Sequence, residues 1–498
     1  MHILVHLFVS CKLFSWHRFF TPAVLIIFIL LNSCQEDPVT VLHDEMQFAV
    51  ETGDSEIPYV VIETHGIGIL NEPKIAATMI IYQEKLEVKR VQIGIEYRGS
   101  TSFRLSDKKS YGIETWDSGG NDIDETFFGF PAEEDFILLG QVANMEELYI
   151  WDRTMMFNYV GYNLYREMGQ YASRTKYVEV ELNGEYLGVY VFMEKLKRDS
   201  ERINISKLEP TDIDPELITG GYILKIDKTT GGDLNLNQPL EYFESNWADD
   251  ARYTEAISFR SQYDINGKLV DFDPFGEPYH SNQYLETYFL YEYPKSENIT
   301  EAQLTYIQTF IHGFETALLT DDFTTDKRSY TDYINMESFV DHFILNELVR
   351  NVDGYRLSTY LYKDRGEKLK MGPVWDLNIA YNNGGRIPMD DWVINYNDHV
   401  QQDAWMMPFW WPRLMEDPLF RNALKTRWSS LRLSTLSNAE LLYLVDQTSA
   451  YLQNNGAVDR NYNKWDQGIG VNYSESVEDL KSYLEARAQW MDEVISAF

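Results

Sequence analysis

The chain has 498 residues, of which 44% are hydrophobic and 14% aromatic, and a formal net charge of −35. That apolar content supports a large core and excludes general disorder. The acidic excess excludes a nucleic-acid partner held by a broad electrostatic footprint, and leaves room only for a local basic pocket such as Arg98, Lys108 and Lys109. Two cysteines, Cys11 and Cys34, both lie at the N-terminus, which excludes a disulfide framework for the folded part.

Taken in chain order, basic residues (Lys12, His17, Arg18) precede an apolar run, Ala23–Leu31, too short for a bilayer span and suited to the core of a signal peptide. The run ends in Leu31-Asn32-Ser33-Cys34, which resembles a bacterial lipobox with Asn32 as its loosest fit. The alternative is an ordinary signal peptide with an incidental cysteine. Because no cysteine follows, lipidation at Cys34 is the expectation. The acidic stretch after it, Gln35-Glu36-Asp37, resembles the export signal of surface lipoproteins in Bacteroidetes-type bacteria. The resulting expectation is a chain anchored by lipid alone to a Gram-negative outer membrane, facing the cell exterior. Residues 1–33 are then a signal peptide, 34–58 an acidic tether, 59–200 a β-rich part and 201–498 a mainly helical part.

Within the β-rich part, period-two alternation predicts strands at Tyr59–Thr64, Lys74–Tyr82, Lys85–Tyr97, Lys109–Thr115 and Asp135–Gly140. A small-residue turn, Arg98–Ser102, separates the third from the fourth. Leu148–Met168 reads as a helix, with Asp152 as a cap or first-turn residue and Gly169 as a stop. Asn183-Gly184 between two alternating runs, Tyr177–Leu182 and Tyr186–Met193, is a hairpin signal. Gly220–Lys228 reads as one more strand, and 229–294 gives only weak signals, of loops, polar clusters and a few short strands. Helices are expected at Glu301–Leu319, Met336–Val349, Arg413–Leu431, Ser437–Asn455 and Ser476–Phe498. The Trp-rich stretch Trp405–Trp411 reads first as packing and second as a sugar-binding platform.

The chemistry gathers in Asn351–Asn383. Asp353 opens an Asp-Gly turn after a helix; a strand, a charged turn and a second strand, Met371–Trp375, follow, and Asp376 ends them. Such a hairpin can bring two carboxylates to one end, where they suit a divalent cation holding phosphates with one carboxylate left to accept a proton. Asp-Gly is also ordinary turn chemistry.

Five stretches carry a resemblance to a known family: Arg98–Ser102 with Lys108–Tyr111, Val180–Glu194, Gly221–Asp227, Asn351–Tyr362 and Pro373–Asn378. Together with Trp411, Leu414, Asp417-Pro418, Phe420, Arg427-Trp428 and Leu431-Arg432 they resemble the CotH kinase family of atypical protein kinases, from about Val91 to the end. The resemblance implies an α+β, two-lobed kinase-like fold and metal-dependent phosphoryl transfer from ATP, with Mg²⁺ or Mn²⁺, to a hydroxyl of a protein or glycan acceptor. It makes Asp353 the catalytic base and Asp376 the metal-holding carboxylate. Lys109, or Lys108 as the alternative, would contact the phosphates, with Arg98 in support. On an alternating strand only one of the two lysines can enter the cleft. Glu194 falls where a kinase hinge would lie, in a structural role or at the nucleotide edge. The second metal position, commonly Asn, is Ser358 here, and the last residue of the family's Trp-Asp-x-Asp is Asn378. Weaker metal binding is the consequence. A degenerate surface binding module and a glycan-associated lipoprotein are the alternatives. An exterior location adds the requirement that ATP be supplied there or replaced by another donor.

Overall fold

The computed structural model describes residues 56–229, 253–271, 273–275, 285–381, 385–401, 403 and 405–498, so Cys34 and the signal and tether segments fall outside the described residues. Five strands come first: β1 Tyr59–Glu63, β2 Ile75–Gln83, β3 Leu86–Arg98, β4 Ser110–Trp116 and β5 Asp135–Leu139, with a short helix α1 Thr101–Leu105 after β3. A two-residue pair, β6 Ala143–Asn144 and β7 Tyr149–Ile150, leads to helix α2 Phe157–Glu167. The hairpin β8 Thr175–Leu182 and β9 Glu185–Glu194 follows, turning through Asn183 and Gly184 with φ of 52° and 82°. Positive φ at both central residues is what a tight hairpin turn requires.

These strands close a barrel in the order β1-β2-β3-β4-β5-β9-β8. The closure is the parallel pairing of β1 with β8, Tyr59 opposite Glu179 through Ile62 opposite Leu182. Closure removes the exposed strand edges that would otherwise template aggregation. Alternation then fills the interior: Val60, Ile62, Met79, Ile93, Ile95, Ile113, Phe136, Leu138, Val178, Val180 and Phe192 form one buried cluster.

The remaining strands are β10 Tyr222–Ile226, β11 Ser258–Arg260, β12 Tyr288–Tyr293, β13 Thr359–Lys363 and β14 Lys370–Met371, in the order β11-β12-β10-β13-β14. Helices α3 Glu301–Leu318 and α4 Met336–Leu348 precede β13. Helices α5 Tyr396–His399, α6 Trp410–Glu416, α7 Pro418–Arg432, α8 Asn438–Asn454, α9 Ala457–Trp465 and α10 Tyr473–Ser496 close the chain. No helix among the described residues is long and apolar enough to cross a membrane. The architecture is mixed α and β, a large sheet region followed by helices.

Several expectations shift in detail. The helix predicted from Leu148 begins at Phe157, because Leu148 takes φ 55° and Tyr149–Ile150 pair as a strand. Asp152 caps from outside the helix, accepting the N–H of Phe157 at 2.8 Å, and Gly169 (φ 90°) stops it. The helix predicted over Arg413–Leu431 is two, broken at Asp417, whose carboxylate caps α7 ahead of Pro418. Helix α9, with no counterpart in the sequence reading, fastens the helical part to the barrel. Its Asn461 Oδ1 accepts from Lys108 Nζ at 2.8 Å and from the Val189 N–H at 3.0 Å, and Trp465 Nε1 donates to Leu187 O at 2.8 Å. The Trp-rich stretch is core: Trp405, Trp410 and Trp411 are buried.

Asn461→Ala would strand two buried donors at once. The expected loss is about 2–4 kcal/mol of stability, read as a lower urea midpoint at unchanged slope.

Candidate functional site

Three chain segments meet at one end of the five-stranded sheet, and register dictates it. β10 pairs antiparallel with β13, so the end of β10 (Ile226) lies opposite the start of β13 (Thr359). β14 also runs antiparallel to β13, with Met371 opposite Leu361 and the Gly372 N–H on Tyr360 O at 2.9 Å. The chain leaving β14 therefore heads toward that same end. Asp227 follows β10, Asp353 precedes β13 and Asp376 follows β14. The strand predicted over Met371–Trp375 stops at Met371, since Pro373 has no N–H for a ladder.

The turn that carries Asp353 is held from below. Asn351 is fully buried and donates through Nδ2 to Asn346 Oδ1 at 3.1 Å. The N–H groups of Arg356 and Leu357 close on Asp353 O at 3.0 and 2.9 Å. His342 Nε2 lies 2.7 Å from Gly354 O. A carbonyl only accepts, so the imidazole carries its proton on Nε2. A Cβ on Gly354 would come within 2.1 Å of Asn346 Oδ1, so only glycine lets this turn sit on α4. Arg356 Nη2 donates to Asp353 Oδ1 at 2.7 Å, which fixes the carboxylate.

Asp376 is placed by α2. Its N–H donates to Tyr162 Oη at 3.1 Å, and Trp375 stacks on Tyr162 at 6.0 Å. The next residue, Leu377, packs onto Gly161, where a Cβ would meet Leu377 Cδ1 at 2.0 Å. Asp376 itself has φ 56°, a left-handed conformation that is strained for a residue with a side chain and is recurrent at functional sites. Burial, then the charges of Asp353 and Asp227, push its carboxyl up to about 6, with Lys228 and Arg98 opposing. The Arg98 guanidinium lies 5.7 Å from the Trp375 ring, at the rim of the site.

Ser358 and Asn378 act on neighbours. Ser358, at φ 49°, donates through Oγ to Asp227 Oδ2 at 3.4 Å. The orientation of Asn378 is fixed by a relay that starts at a backbone donor. The Leu377 N–H takes Asn158 Oδ1 at 2.9 Å, so Asn158 Nδ2 donates to Asn378 Oδ1 at 2.8 Å. Asn378 Nδ2 is then left to donate to Asp376 Oδ1.

Other anticipated residues lie elsewhere. The Lys108 ammonium is enclosed by Gln141 Oε1, Val189 O and Asn461 Oδ1, and burial holds its pKa well below the usual lysine value. Lys109, just ahead of β4, which begins at Ser110 and not at Lys109, donates to Phe103 O at 2.7 Å, over the Phe103 ring at 4.3 Å. Glu194 is fully buried at the end of β9, accepting from the Arg174 N–H at 2.9 Å, Arg174 Nη1 at 2.7 Å and Tyr171 Oη at 3.2 Å. Its surroundings are those of a clamp between β9 and the segment before β8. Asp227 and Lys228 were missed as site residues. The available signal was an apolar strand closed by a carboxylate, the pattern that also marks Asp376.

The donor set fits a hard divalent cation: carboxylate oxygens gathered where burial and like charge together raise the pKa of Asp376, with Lys228 and Arg98 opposing. The three Asp carboxylates do not all converge to within 4.8 Å, whereas those of Asp124, Glu133 and Glu134 do. The Lys197 ammonium already neutralises that second group, 2.5 Å from Glu133 and beside Glu134.

The chain is thus a mixed α and β protein with a polar site of carboxylates and cations at one sheet end. The family model described as CotH kinase protein matches residues 95–491. The chain belongs to that family, and membership supports kinase chemistry with nucleotide and divalent metal. No curated protein matches the chain.

His342 gives this site a pH signature. Burial pushes its pKa down from 6.5 to about 4, so the folded state binds fewer protons than the unfolded state between those values. Its contribution is present above pH 6.5 and is lost as pH falls toward 4. Relative to His342→Gln, the wild-type chain should lose about 2 kcal/mol of stability between pH 7 and pH 5 in urea titrations.

Proposed function

We propose that this chain is a metal-dependent atypical kinase that moves the terminal phosphoryl group of ATP to a Ser/Thr or other hydroxyl of a cell-envelope acceptor. The observation that carries the reading is the meeting of Asp227, Asp353 and Asp376 at one sheet end beside Arg98 and Lys228. In this reading the barrel and the mainly helical part are two lobes with the nucleotide between them.

Asp353 accepts the proton of the acceptor hydroxyl as its oxygen bonds to the transferred phosphorus and ADP departs. Arg356 holds Asp353 through Oδ1, and Oδ2 accepts no hydrogen bond among the described residues, which leaves it to take that proton. Asp376 offers oxygen to Mg²⁺ or Mn²⁺, with Asp227 beside it, and the bound cation supplies charge neutralisation for the phosphates. Arg98 adds positive charge at the rim. Ser358 and Asn378 orient Asp227 and Asp376 through the hydrogen bonds above.

A second reading, a non-catalytic surface binding module, is supported by the amide oxygen of Asn378, which is committed to Asn158. Thermal shift of the full-length chain with ATP and Mg²⁺, Mn²⁺ or no metal separates the two. The kinase reading expects metal-dependent stabilisation, about 2.7 kcal/mol at a hundred times Kd, that Asp376→Ala abolishes. Asp353→Asn should keep that shift and lose on the order of 10²–10⁴ in phosphoryl transfer. No shift with any metal, both proteins being folded, would move the assignment to the binding module.

The same proposal tethers the chain by a lipid on Cys34 at the outer-membrane surface. Fatty-acid labelling should mark the wild-type chain and not Cys34→Ser, and protease added to intact cells should remove it. Protection from that protease would put the chain inside the envelope.

A further inference from the structure

A polyphosphate needs an ammonium or guanidinium that can reach it, and the two lysines the family resemblance points to are both engaged away from the carboxylates. Lys108 Nζ is enclosed between Val189 O at 2.6 Å and Asn461 Oδ1 at 2.8 Å, and its displacement would unfasten α9 from the barrel. Lys109 Nζ sits on Phe103 O at 2.7 Å. Lys228, one residue beyond the Asp227 that ends β10, stands differently. Its Nζ donates to Thr101 Oγ1 at 2.8 Å, at the first residue of α1, which follows the end of β3 at Arg98. Its charge is felt by Asp227, Asp353 and Asp376 together, and by Arg104 of α1. The Trp405 ring lies 5.6 Å from Nζ. One lysine thus links α1 to the carboxylate end of the sheet.

We infer that Lys228 is the cation that meets the nucleotide polyphosphate in this chain, in place of Lys108 or Lys109. The inference rests on the kinase reading and deepens it. The chemistry is charge balance. Three carboxylates at one sheet end repel an incoming polyphosphate unless cations are set among them. A divalent ion on Asp376 supplies part of that charge. An ammonium that donates to a hydroxyl beside the carboxylates can exchange that bond for a phosphate oxygen. An ammonium enclosed by buried acceptors cannot do so without leaving them unpaired. Arg98 at the end of β3 acts on Asp376, and Arg104 of α1 acts on Lys228, so two further cations are felt here.

The test uses the full-length chain and three probes: Mn²⁺ alone, Mn²⁺ with inorganic tripolyphosphate, and Mn²⁺ with ATP, each titrated calorimetrically. Lys228→Met should weaken both polyphosphate complexes tenfold or more while leaving Mn²⁺ alone unchanged or tighter, and Lys228→Arg should recover part of the loss. Lys109→Met should bind both within twofold of wild type. A second readout avoids substitution altogether. Acetylation of the wild-type chain, mapped by mass spectrometry, should fall at Lys228 when Mn·tripolyphosphate is present. Wild-type affinity in Lys228→Met, a loss that follows Lys109→Met instead, or unchanged acetylation of Lys228 would overturn the inference and leave the kinase reading standing. A wild-type chain that takes up neither polyphosphate would overturn both.

Discussion

Antiparallel pairing on both sides of β13 is the constraint on which the site depends. With β10 and β14 each running against β13, the end of one, the start of the second and the exit from the third share one edge of the sheet. Every candidate carboxylate comes from one of those three positions. The electrostatic cost follows directly: burial, and then the charges of Asp353 and Asp227, push the Asp376 carboxyl up. The surrounding residues address that cost: Arg356 on Asp353, Lys225 3.4 Å from Asp227, Lys228 and Arg98 opposite Asp376. The fold fixes where negative charge collects, and the cations follow from it.

The barrel strands were legible because their signal is local. Period-two alternation buries Val60 and Ile62 on β1, and Asn183-Gly184 marks its own hairpin. Strands β11 and β12 were legible only as short strands without positions, because they have three and six residues and lie among polar clusters and loops. Helix α9 escaped for a different reason. It is short and polar, with Asn461, Tyr462 and Lys464 in its second half, and its role is defined by barrel groups far away in sequence. Likewise, the start of α2 was misplaced because apolar residues from Tyr149 onward imitate helix periodicity, while Leu148 and the β6–β7 pairing impose another backbone.

The site divides along the same line. The hairpin that joins Asp353 to Asp376 is nearly contiguous, so its two ends could be placed from 33 residues of sequence. Asp227 comes from a strand more than a hundred residues earlier and enters only through its pairing with β13. The two lysines show what periodicity can and cannot decide. Alternation would turn Lys108 and Lys109 opposite ways, but β4 begins at Ser110 and both lysines precede it. Periodicity cannot reveal that one ammonium is sealed by Asn461 and the other ends at Phe103, because neither partner lies on the strand itself.

The two departures from the family pattern then acquire a physical reading. An Asn at 378 in place of Asp removes a charge, but the relay from the Leu377 N–H through Asn158 aims its amide nitrogen at Asp376. A carboxylate there would repel Asp376; an amide donor favours its charged form. Ser358 similarly gives a hydroxyl proton to Asp227 rather than a metal-seeking oxygen to the centre. In both places a residue expected at the cation instead hydrogen-bonds a neighbouring carboxylate. Asp227 brings a third carboxylate to the sheet end beside Asp353 and Asp376. Each departure thus leaves the carboxylates in place and changes what holds them, an amide at Asp376 and a hydroxyl at Asp227.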